Sequence, residues 1–145
     1  MGLSGQPVKR GTMAHEHIIY MMLVDSAATA RDQKTILKYT PVLEKIAIRD
    51  DHRPYLAVAD RAYGIAHRLS KEYKQSENHL QQALDIFEEF DIPWQRARTL
   101  YELGKLAQVR GNDNLSREIF TEALHEFERL GAIPDASRTE VALEI

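Results

Sequence analysis

The sequence predicts an all-α chain, an α-solenoid of antiparallel helical hairpins with about seven helices, and three observations carry that prediction. First, from Pro93 to Leu130 apolar or small residues recur at steps of three and four: Ala97, Leu100, Leu103, Gly104 and Ala107, then Ile119, Phe120, Ala123, Leu124 and Phe127. That spacing turns one face of each helix inward. Second, a shift of forty residues lays Tyr63-Gly64 on Leu103-Gly104, Ser76 on Ser116, Leu80 on Phe120 and Phe87 on Phe127. Third, Arg53-Pro54, Ile92-Pro93 and Ile133-Pro134 each place proline where a helix opens and its missing N–H costs nothing.

Length and composition bound the rest. With 145 residues, five prolines and seven glycines, the chain suits a single helical domain with a modest core. It has no cysteine, so disulfides, thiol catalysis and zinc knuckles are excluded, and a cytoplasmic setting is expected. A net charge of −3 argues against direct nucleic-acid binding, which needs a basic surface.

Taken in order, residues 1–12 carry glycine, serine and proline without periodicity and read as a disordered tail. Residues 13–145 form one domain. Its first unit, 13–50, is a degenerate repeat. The apolar run Ile18 to Val24 is far too short to cross a membrane, and Ala27, Ala28 and Ala30 continue it as a helix. A second helix follows over 32–49, opened by Asp32, with Ile36, Leu37, Leu43, Ile46 and Ala47 inward. Pro41 sits inside it and is expected to kink or split it, at roughly 3 kcal/mol if nothing compensates.

The middle repeat, 54–91, pairs a helix over about 54–69 with one starting near Ser76. The third, 93–130, turns at Gly111, which suits a helix C-cap, with Asp113 or Asn114 as the next cap. Gly104 costs about 1 kcal/mol in mid-helix relative to alanine, which implies close approach by a neighbouring helix. Residues 134–145 supply a terminal or capping helix, with Ala136, Val141, Ala142 and Ile145 for its inner face.

Leu100, Leu103-Gly104, Ala107, Gly111, Ser116, Phe120 and Ala123 stand at the spacing of the tetratricopeptide repeat, which the chain resembles over residues 54–133. The forty-residue unit, with Phe127, Leu130 and Gly131 closing it, is similar to arrays attached to bacterial signal-transduction ATPases, cyclases and transcription regulators. The extra length is expected in the connection between hairpins. Leu100 stands where the family has tryptophan, and Ala107 and His67 where it has tyrosine.

Catalytic chemistry is thin. No phosphate loop, nucleophile elbow, H-E-x-x-H or carboxylate pair is present. His15 and His17 lie two apart, which on a helix points them away from each other, and Asp50-Asp51-His52 reads as a solvated loop. His67 is expected to pack in the core, and His79 and His125 on the surface. No catalytic residue, metal or cofactor is expected, so the role indicated is a non-catalytic protein-protein interaction scaffold.

Charge divides by helix type. The first helices of the middle and third repeats sum to +2 and +3, and their second helices to −5 and −3. The resemblance implies that the first helices line a concave groove. Carried over position by position, it nominates Arg61, Ile65, Arg68, Arg98, Tyr101, Lys105, Gln108 and Arg138 as the partner-binding groove. Arginines and a tyrosine suit an acidic peptide, because guanidinium groups take carboxylates bidentately. The alternative use of these cations is to pair with Glu102, Asp60 or neighbouring acids. Two further roles are a ligand-sensing segment of a larger signalling ATPase, cyclase or transcription regulator, and a homodimer through either end, by the apolar Tyr20, Met21, Met22 and Leu23 of the first helix or by the open edge of the last.

Overall fold

Six near-identical turns, spaced every twenty residues, set the architecture. The computed structural model describes the backbone of residues 2–145 and the side chains of residues 15–145. Among these the chain forms seven helices: α1 (Gly2–Thr29), α2 (Gln33–Arg49), α3 (Arg53–Leu69), α4 (Tyr73–Glu89), α5 (Pro93–Val109), α6 (Asp113–Leu130) and α7 (Ile133–Glu144). At every junction one residue takes a left-handed backbone: Arg31, Asp51, Lys71, Asp91, Gly111 and Gly131. The residue after it donates its N–H to a carbonyl five positions back, as Glu72 does to His67 at 2.8 Å and Asn112 to Ala107 at 2.9 Å. That pair of features closes one helix by a Schellman motif. The same donor residue then serves as N-cap of the next helix.

This geometry corrects three expectations. The hairpins are joined by turns as short as those within them, so the extra length of the repeat lies in the helices and not in an extended connection. In the middle repeat α4 begins at Tyr73, three residues ahead of Ser76, because Lys71 makes the left-handed turn without a glycine. The cap of α6 is Asn112, whose side chain accepts from the Leu115 N–H, and not Asp113 or Asn114.

Two further differences concern the first unit. The helical assignment of α1 begins at Gly2, so helical backbone covers the stretch read as a tail; no described side-chain contact depends on it. Helix α2 runs unbroken through Pro41. Pro41 and Leu37, whose carbonyl loses its partner, both face solvent, where water can satisfy the carbonyl.

Packing proceeds from neighbour to neighbour, the pattern of an all-α helical repeat. One apolar cluster joins α1 to α4 through Val24, Ile36, Leu43, Ile65 and Phe87; a second joins α4 to α7 through Leu84, Leu100, Phe127 and Ala136. Within each hairpin the glycine admits its partner helix. A Cβ on Gly64 would sit 2.6 Å from Leu80, and one on Gly104 would sit 2.6 Å from the Phe120 ring. The conserved spacing of serine within the two units has the same origin: Ser76 Oγ donates to the Gly64 carbonyl at 2.7 Å, and Ser116 Oγ to that of Gly104 at 3.1 Å. Among the described residues, no helix is long and apolar enough to cross a membrane.

Candidate functional site

Helix α3 packs between α1 and α5, and α5 packs between α3 and α7, so the odd-numbered helices share one face of the array. On that face, among the described residues, α1 and α5 do not touch through backbone; long side chains bridge them. Asp25 of α1 holds Arg98 of α5 with both oxygens, Oδ1 to Nη2 at 2.8 Å and Oδ2 to Nη1 at 3.0 Å. One turn further on, Arg31 reaches Glu102 of α5 at 3.1 Å. The two bridges run in opposite directions of charge.

Beneath them lies the face of α3. Arg61 is 2% exposed, Ile65 2% and Arg68 8%. Arg61 Nη2 meets Asp25 at 3.2 Å, its Nη1 reaches the Thr99 hydroxyl at 3.3 Å, and its guanidinium lies 5.3 Å from the Phe87 ring centroid. Arg68 donates to Glu102 Oε1 at 2.8 Å. Burial and the repulsion of Arg98 bring the Arg61 pKa down to about 10, against the pull of Asp25 and Glu102. Burial pushes the Asp25 pKa up, but Arg61 and Arg98 outweigh it and the net direction is down. Glu102 follows the same pattern, with burial opposed and overcome by Arg68 and Arg31.

Three of the eight nominated residues are therefore not free to line a groove. Arg61 and Arg68 are structural cations and Ile65 is core. The reason is the Asp25 and Arg31 bridges, which cover α3. Lys105 is half-buried, with its ammonium 5.8 Å from the Tyr101 ring centroid and no carboxylate partner among the described residues. Burial, then Arg68 and Arg31, lower its pKa. Gln108 donates to the Ala142 carbonyl at 3.3 Å and ties α5 to α7.

Arg98, Tyr101 and Arg138 do come together, in a cavity of about 360 Å³ that Arg31, Trp94 and Glu102 also line. The Arg98 guanidinium lies 4.6 Å from the Trp94 ring centroid, and Trp94 Nε1 donates to Asp135 at 2.8 Å. Arg138 pairs with that same Asp135 at 3.1 Å. Across the face, Arg31, Arg61, Arg68, Arg98 and Lys105 stand against the two carboxylates Asp25 and Glu102, so the groove keeps an excess of positive charge.

No protein-family model matches the chain. Nor does any curated protein match it at a significant level.

The sequence reading missed Asp25, Arg31 and Trp94 as groove residues. For Asp25 a signal existed: forty residues before Ile65, it holds the same place in the repeat. Away from the groove, His17 meets Asp50 at 2.8 Å and His52 stacks on Tyr55 at 3.8 Å, so the Asp50-Asp51-His52 stretch expected as a solvated loop ties α1 to the second turn. His67 is not in the core; its Nδ1 pairs with Glu72 at 2.9 Å and its ring stacks on His79. Asp60 is taken by His79 at 3.0 Å, which removes it as a partner for the groove arginines.

Proposed function

We propose that the chain is a protein-interaction module of the tetratricopeptide kind that takes a carboxylate-bearing peptide or partner segment on the face of its odd-numbered helices. The observation that supports this reading is the cationic excess across the odd-numbered face, where the half-buried Lys105 has no carboxylate partner among the described residues, next to the Trp94 and Tyr101 cavity. Arginine offers paired donors to a carboxylate, and the two rings offer flat apolar contact to the chain that bears it. The acidic helices α4 and α6 repel the same ligand from the back of the middle and third repeats, which favours docking on the opposite face there. The lack of cysteine suits a reducing compartment, so the cytoplasm is the proposed setting.

The test is binding of fluorescein-labelled hexaglutamate, read by anisotropy. Wild type should bind, with affinity falling as salt rises, and the double variant Lys105→Ala, Arg138→Ala should bind about fivefold more weakly or worse. Equal binding by the double variant sinks the reading.

A second reading, self-association, is favoured by the outer side of α1. Ile18, Ile19 and Met22 are 48%, 54% and 60% exposed there, although Tyr20 and Met21 pack on the core. Sedimentation at two concentrations decides it, and a constant monomer mass sets it aside.

A further inference from the structure

The carboxylate site of the groove is already filled by the chain itself. We propose that Asp25 is an internal competitor: it occupies the Arg98 fork that a partner's carboxylate takes on binding, and its displacement opens the bridge between α1 and α5. This inference rests on the acidic-partner reading above and specifies where that partner's charge docks.

Three observations carry it. The Asp25 to Arg98 contact is two-pronged, at 2.8 and 3.0 Å, which is the arrangement in which arginine recognises a free carboxylate. Arg98 also lines the open cavity and lies against Trp94, so an incoming carboxylate reaches it from solvent without moving a helix.

Asp25, in turn, can yield Arg98 without being stranded. Its Oδ1 also meets Arg61 Nη2 at 3.2 Å, so after exchange Asp25 keeps Arg61 and the partner keeps Arg98. No charge buried in the free protein loses its counterion. A buried pair broken without such a substitute would cost heavily. Because among the described residues α1 and α5 touch only through side chains, loss of this bridge loosens one of the two described ties that cover the α3 trough of Arg61, Ile65 and Arg68.

The experiment compares the labelled hexaglutamate on wild type, Asp25→Asn and Asp85→Asn. Asp85 is an exposed acid on α4, bonded to Gln81, and its neutralisation changes net charge by the same amount away from the groove. Asp25→Asn should bind about fivefold or more tightly than wild type, while Asp85→Asn stays within about twofold. A gain in Asp85→Asn equal to that in Asp25→Asn overturns the competitor, because bulk charge then accounts for both.

A second measurement covers the case in which Asp25→Asn does not fold. Amide hydrogen exchange over residues 18–29 of wild type should speed up when hexaglutamate is added, and unchanged or slower exchange overturns the competitor. If wild type binds, weakens with Lys105→Ala, Arg138→Ala, and Asp25→Asn gains nothing, the competitor falls and the acidic-partner reading stands. If neither wild type nor Asp25→Asn binds, both fall.

Discussion

Asp25 holds Arg98 through both carboxylate oxygens across 73 residues of sequence, while the same carboxylate serves the almost fully buried Arg61. One acid thus balances two guanidinium groups from two other helices. Removing it leaves Arg61 buried without a counterion, whereas removing Arg98 leaves Asp25 still paired.

That asymmetry predicts an order of stabilities. Asp25→Ala should cost about 3–5 kcal/mol, the range for breaking a buried pair from one side, and Arg98→Ala only about 1–2 kcal/mol. Urea unfolding followed by circular dichroism measures both. A larger cost for Arg98→Ala contradicts the assignment of Asp25 as the shared counterion.

The pH dependence follows from the direction of the shifts. Asp25 and Glu102 both titrate below their reference values of 3.8 and 4.5, so the folded state holds fewer protons than the unfolded one in that window. Their stabilisation is complete above those reference values and is lost as pH falls through the lowered folded values. The stability gap between wild type and Asp25→Asn should therefore be constant from pH 7 to about 5 and shrink below 3.8. A gap of unchanged size at the acid limit of the folded protein removes the ion pair as its cause.

Gly104→Ala tests the close approach within the third hairpin. Alanine is the better helix former by about 1 kcal/mol, but its methyl would meet the Phe120 ring at 2.6 Å. Overpacking should win, for a net loss of about 1–2 kcal/mol in chemical denaturation. A stabilised variant would show that α5 and α6 can part at no cost.

Lys71→Gly addresses the turns. Lys71 sits at φ 62°, a left-handed backbone that costs a side-chain-bearing residue roughly 1–2 kcal/mol. Glycine there should raise the thermal midpoint by about 2–4 °C, against its usual effect inside helices. Gly111→Ala, at φ 79° in the corresponding turn, should lower it. Shifts of the opposite sign would contradict the left-handed assignment.

Much of the fold was legible because its signals are local. Helix faces, opening prolines and the mid-helix glycines each follow from spacing and from sterics, and all of them hold from α3 to α6. The start of α4 was placed three residues late because the left-handed residue of its turn, Lys71, carries a side chain, and composition flags such positions only when they are glycine. Pro41 misled for a related reason: the rule for proline is about a lost donor, and here the bereft carbonyl faces water. The groove was legible as a cationic face but not as a set of occupied cations. Whether an arginine is free depends on which acid lies across the array, and Asp25 is 36 residues from one of its partners and 73 from the other.

The side-chain bridge between α1 and α5 also bears on how the array comes apart. A solenoid held only by adjacent contacts can fray one unit at a time from either end. Here the first helix is fastened to the fifth over the top of the third, so α1 cannot peel away without uncovering Arg61 and Arg68. The amino-terminal five helices should melt as one cooperative block. Beyond α5, the last helix is tied back to it by the Gln108 to Ala142 hydrogen bond, and α7 is the natural place for unfolding to start.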